Sequence, residues 1–195
     1  MKQVPLLLLL PLALASFGLS AMDPQQAPPA KVWRQSQKTN PGRDTTYTRF
    51  TLVGRFLKAP QGDVGEISNR PAFVVDCIPG KGSHRGRFIA GNLLIGTSLK
   101  IDYVEPQEIH GTSYYPKVAV QYRIDDAKEP EKENWTPGTE KTSASIPKDS
   151  LKKILRAQAV DLTVGDDRGS EVVMKFDMPD PKPVEDACNV DDRNK

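Results

Sequence analysis

Apolar and polar residues alternate along much of the chain between residues 31 and 190, and a period of two is the signature of half-buried β-strands. In YTRFTLVGRFL, Phe50, Leu52 and Phe56 fall on one face; in KVAVQYRID, Val118, Val120, Tyr122 and Ile124 do the same. FVVDC and LKIDYV are shorter strand candidates. The clearest pair lies toward the C-terminus, where AVDLTV and EVVMKFDM flank GDDRGS. Val160, Leu162 and Val164 line one strand, Val172, Met174, Phe176 and Met178 the strand opposite, and the glycine- and aspartate-rich centre predicts a hairpin turn. Asp166 and Asp167 belong to that turn, because a calcium loop needs further oxygen ligands at spacings this sequence does not supply.

One segment breaks the period. In SIPKDSLKKILRAQ, Pro147 enters the first turn, Asp149 complements the dipole, and Leu151, Ile154 and Leu155 form an apolar stripe. That predicts one short helix near residues 147–157, with Lys148, Lys152 and Lys153 on a solvated face. The stretch DDAKEPEKENWTPGTEKTS is polar throughout and reads as a long exposed loop, with Trp135 its one large apolar residue. Trp135 is then either folded back over an edge of the core or an exposed anchor for a partner. The expected fold is mainly β, antiparallel and β-sandwich-like, with that one short α-helix.

The first residues add a destination. MKQVPLLLLLPLALASFGLSA has one charge at Lys2, a leucine-rich run, then small residues up to Ala21. This predicts a secretory signal peptide over residues 1–21. The alternative is an uncleaved anchor, because residues 4–21 approach the ~20 apolar residues of a spanning helix. No basic stop-transfer cluster follows, so a protein exported to the periplasm or beyond, without stable membrane insertion after cleavage, is expected. Residues 22–30 read as a flexible proline-rich tether, 31–190 as one β-rich domain, and 191–195 as a disordered tail.

Export changes the meaning of the chain's two cysteines, Cys77 and Cys188. An oxidising compartment lets thiols pair and persist, and the two then read as one disulfide. Two free thiols or a metal pair are the alternatives.

Charge selects little. The chain has 27 Lys and Arg against 25 Asp and Glu; without Lys2 the balance is 26 against 25, or +1. Nucleic acid is therefore not an expected partner. Residues 22–87 carry 11 basic and 5 acidic residues, a net +6, while 88–195 carry 15 and 20, a net −5. Opposite charges of this kind complement each other across neighbouring strands, or else mark a basic binding face.

Candidate chemistry is sparse. His84 and His110 are the only histidines, and bridged cysteines cannot act as nucleophiles. No two of Cys77, His84, His110 and Cys188 have the short spacing of structural zinc ligands. No Gly-x-Ser-x-Gly turn or phosphate loop is present. GKGSHRG is glycine-rich and basic. It is either a flexible hairpin loop or a contact for a small anion or a partner through Lys81, His84, Arg85 and Arg87. No catalytic residue, metal or cofactor is expected.

The order of features from KVWRQSQK through FVVDC, VAVQYRIDD, ENWTP and LKKILRAQAVDLTV to VEDAC is similar to a group of small bacterial periplasmic proteins. The accessory proteins of type VI secretion are its best-named members. The pattern falls on Trp33, Cys77, Tyr122, Arg123, Asp125, Trp135, Leu155, Ala157, Leu162, Val164 and Cys188; the segment PEKENWTPGTEKTSAS is longer and more charged than the group's pattern. The resemblance implies a β-rich fold, a Cys77–Cys188 bridge, an exported location, and an envelope or secretion-apparatus protein as partner. The expected function is an exported, non-enzymatic envelope accessory or binding protein. An envelope hydrolase and a small-anion-binding module are the alternatives.

Overall fold

The computed structural model describes residues 31–40, 45–60, 70–79, 87–104 and 115–188. They form β1 (Arg34–Asn40), β2 (Thr45–Val53), β3 (Arg55–Lys58), β4 (Ala72–Pro79), β5 (Arg87–Leu94), β6 (Asp102–Val104) and β7 (Tyr115–Ile124). Next come β8 (Glu131–Pro137), β9 (Ser143–Ile146), α1 (Lys148–Leu155), β10 (Ala159–Gly165), β11 (Glu171–Asp177) and α2 (Lys182–Cys188).

All named strand pairs are antiparallel, in the order β1-β2-β4-β5-β9-β8-β7-β10-β11-β3, with β6 beside the start of β7. Only Gly54 separates β2 from β3, so the second and the last strands of this order belong to one bent strand. β2 pairs with β4 and β3 pairs with β11, so the wall returns on itself. The architecture is a sandwich whose two sheets run into each other at both edges, a flattened barrel with β1 extending past the closure. Strands that switch sheets at a bend are how such corners are made.

Alternation explains which way each strand faces. Phe50 and Leu52 of β2, Phe73, Val75 and Cys77 of β4, and Leu93 of β5 are buried in the same core as Val118, Val120 and Tyr122 of β7. Val160, Leu162 and Val164 of β10 meet Phe176, Met174 and Val172 of β11 in register, as the hairpin pattern predicts. Phe73 reaches across the core to Phe176 with ring centroids 6.0 Å apart. On the outward side of β4, Asp76 is also buried, because Arg49 of β2 grips both its carboxylate oxygens at 2.7 Å.

The bend requires glycine. A Cβ on Gly54 would lie 2.6 Å from Phe176 Cε1 and 2.8 Å from the Lys175 carbonyl oxygen, and backbone cannot swing aside. Gly54→Ala is expected to cost about 1–3 kcal/mol by overpacking, read as a lower urea midpoint with an unchanged m-value. Gly91 of β5 also leaves no room for a side chain, since a Cβ would meet Leu151 of α1 at 2.7 Å. Its bare backbone lets α1 dock there, and Leu151, Ile154 and Leu155 enter the core.

The predicted helix is α1, with Pro147 one residue before it as N-cap. A second helix, α2, was not foreseen. It is short, and only Val184 and Cys188 among its residues are buried, too few for a visible period. Cys188 is disulfide-bonded to Cys77, with Cα atoms 4.9 Å apart and a sequence separation of 111. The bridge holds α2 against β4. Just before α2, the Trp33 indole N–H donates to the Asp180 carbonyl oxygen at 3.1 Å while its ring packs on Phe50 and Phe73.

The predicted long loop is corrected. Residues 125–143 contain the whole of β8 and the first residue of β9. Trp135 is fully buried in the core, which settles its two readings in favour of the inner position. Its strand looks like a loop because the residues alternating with it on the same face are Glu131 and Glu133.

Candidate functional site

Those two glutamates are the centre of the largest side-chain hydrogen-bond network among the described residues. On β8, Glu131, Glu133 and Trp135 share a face by the period of two, and the register with β7 sets Glu131 opposite Tyr122, Glu133 opposite Val120 and Trp135 opposite Val118. The Tyr122 and Trp135 rings lie 6.2 Å apart. Above them α1 contributes Ser150 and Lys153, one helical turn apart and so on one side of the helix.

Glu133 is bonded at both oxygens. Oε1 accepts from the Tyr122 hydroxyl at 2.9 Å, Oε2 from the Trp135 indole N–H at 2.9 Å, and the Ser150 hydroxyl lies 2.6 Å from Oε2 and 2.8 Å from Oε1. Glu131 Oε2 accepts from Lys153 at 2.7 Å and lies 2.8 Å from the Tyr122 hydroxyl. Tyr122 has one proton and two carboxylates within reach, so it donates to either. Tyr122, Trp135 and Ser150 are buried, whereas Glu131 and Lys153 reach solvent.

The electrostatics follow from this bonding. Burial pushes the Glu133 carboxyl up, but donation by Ser150, Trp135 and Tyr122 outweighs it and holds the group below the usual carboxylate value. Glu131 is lowered by Lys153 first and then by Tyr122. Tyr122 is driven far above the ordinary phenol value, chiefly by burial and also by the two carboxylates. Lys153 is raised by Glu131. Glu133 is therefore ionised at neutral pH and already accepts three donors. A carboxylate made more acidic is a weak base toward Ser150, and Ser150 is only 3% exposed. What the arrangement does well is hold a helix onto a sheet: three side chains from β7, β8 and α1 converge on one anion.

The sequence-predicted positions fall differently. Lys81, His84 and Arg85, with His110, lie outside the described residues; Arg87 opens β5. Cys77 and Cys188 are brought together. Asp166 serves the turn, its Oδ1 accepting from the Arg168 and Ser170 backbone N–H groups. Asp125, whose φ is 51°, accepts from the Gln158 and Ala159 N–H groups and joins the end of β7 to the start of β10. Glu131, Glu133 and Ser150 were not singled out from sequence, although Glu-x-Glu-x-Trp is a legible strand alternation. Among the described residues no group of three His, Cys, Asp or Glu side chains is placed to hold a metal, and no helix is long and apolar enough to cross a membrane.

The fold and network thus define a disulfide-closed antiparallel β-sandwich with a carboxylate-pinned helix. Compared with known protein families, curated proteins and solved structures, the chain shows no significant match to any of them.

Proposed function

We propose that the protein is an exported, non-enzymatic binding or accessory protein of the bacterial envelope, with an envelope or secretion-apparatus protein as its partner. The observation that carries this reading is the Cys77–Cys188 bridge, which joins α2 to the sheet across 111 residues and persists only where thiols stay oxidised. The leader-like residues 1–21 and the resemblance to periplasmic accessory proteins supply the route and the setting. Binding is preferred to catalysis because the network at Glu133 is bonded as an anchor. The Ser150–Glu133 contact is the one observation that favours a hydrolase.

Expression of the full chain in a Gram-negative host tests the reading. The expected product lies in the periplasm, with the mass of residues 22–195 less two hydrogens and no thiol labelled before reduction. Photo-cross-linkers at Ser36 and Tyr103 are expected to trap envelope proteins. A cytoplasmic product with two reactive thiols overturns the location, and labelling of Ser150 by a serine-directed fluorophosphonate overturns the non-enzymatic role.

A further inference from the structure

Every residue of β1 is exposed, in the sequence RQSQKTN. It pairs with β2 on one side, and no other named strand pairs with it. A strand edge of this kind presents a row of backbone N–H and C=O groups that another chain can complete. The strand is backed by the sheet, because β2 pairs with β4 on its other side, and its start is tied down. The Trp33 indole, one residue before β1, is buried against Phe50 and Phe73 and bonded to Asp180. The edge is therefore held ready in strand geometry.

Its charge says what it accepts. Arg34 and Lys38 project on the same face as Ser36, the strand has no acidic residue, and among the described residues neither cation has an ion pair. That face continues into β2 through the register pairs Ser36 with Arg49 and Lys38 with Tyr47, where Arg49 already pairs with Asp76 and packs over the Tyr47 ring. A second copy is a poor occupant. Two β1 strands set antiparallel about Gln37 place Lys38 diagonal to Lys38 and Arg34 of the other copy, about 7–8 Å apart, with nothing to neutralise them.

We propose that the open edge of β1 accepts an extended acidic segment of a partner protein as an added strand, its alternate carboxylates meeting Arg34 and Lys38. The inference rests on the binding role above and names the kind of partner. Main-chain bonds to the edge give affinity, and the two cations give register and exclude basic segments.

The test uses the oxidised mature protein and a capped peptide as long as β1, alternating glutamate with threonine, against its lysine counterpart. The glutamate peptide is expected to slow hydrogen exchange at alternate β1 amides, those directed away from β2. Arg34→Glu with Lys38→Glu is expected to weaken it about tenfold or more, as is 1 M salt, where screening acts over about 3 Å. Both side chains are exposed, so the variant should keep the wild-type unfolding midpoint. Absence of β1 protection, protection by the lysine peptide, or indifference to the charge reversal overturns the proposal. Envelope cross-links at Tyr103 that persist in the reversed variant, with no β1 protection in the wild type, sink the edge while leaving the binding role standing.

Discussion

Replacing Cys77 and Cys188 together by alanine is expected to remove about 2–5 kcal/mol of stability. The bridge closes a loop of 111 residues, and in the chain-entropy view a loop of that length restricts the unfolded state by about 5 kcal/mol. A domain of this size has roughly 5–15 kcal/mol in total. The loss also has a local side. α2 buries only Val184 and Cys188, so without the bridge little holds it to β4. The measurement is urea unfolding followed by tryptophan fluorescence, because the two tryptophans sit in different places. Trp33 leans on Asp180 just before α2, while Trp135 lies deep beside Tyr122. In the double variant the Trp33 signal should change at lower urea than the Trp135 signal, each followed alone with the other replaced by phenylalanine. A midpoint equal to that of the oxidised wild type would mean that the bridge is dispensable.

The second large effect is expected at Glu133. Glu133→Ala leaves the Trp135 indole and the Ser150 hydroxyl without their acceptor, while the Tyr122 hydroxyl keeps Glu131. Each orphaned buried donor costs about 1–3 kcal/mol, and they are coupled, so a total near 3–5 kcal/mol is expected. Glu133→Gln keeps one acceptor oxygen and should lose about half as much. The same network sets a pH dependence. Glu131 and Glu133 are both more acidic folded than unfolded. Their stabilisation is fully present above the unfolded glutamate value of about 4.3 and is lost as pH falls through their folded values. Tyr122 works in the opposite sense. Its folded pKa is raised, so its contribution is complete below the unfolded phenol value of about 10 and is lost as pH rises beyond it. Stability should therefore fall on both sides of neutrality, and Glu133→Gln should flatten the acid limb. An acid limb unchanged in that variant would assign the dependence to carboxylates other than Glu133.

How much of this is legible in the sequence depends on what each inward position holds. The β10–β11 hairpin reads correctly because Val160, Leu162 and Val164 oppose Val172, Met174 and Phe176, and every inward residue is apolar. β7 reads correctly for the same reason. β8 is hidden because two of the residues that share a face with Trp135 are glutamates, whose place there makes sense only when Ser150, Lys153 and Tyr122 are seen around them. A run of charged residues is the ordinary signature of a loop, and only long-range bonding overrides it. β1 is hidden because no side chain of it is buried at all. α1 has three apolar residues on one stripe, but the reason for its position is the missing side chain of Gly91, on another strand. The network was illegible for the same cause as β8: its members lie on three elements, and only their meeting gives them a role. The bridge was legible because the chain has two cysteines, which leave one intramolecular pairing.

The bend at Gly54 also sets the order in which the molecule can assemble. β3 directly follows β2 in the chain, yet it finds its hydrogen-bond partner only in β11, where Arg55 pairs with Lys175. Neighbours so far apart in sequence are slow to meet, and folds dominated by such pairings form in milliseconds to seconds rather than microseconds. The first strands can zip into β1-β2-β4-β5 by local hairpins while β3 waits, its backbone unmatched. A chain emerging from its N-terminus therefore stays an open, adhesive sheet until its last forty or so residues arrive, and the final hairpin is the latch that ends that exposure.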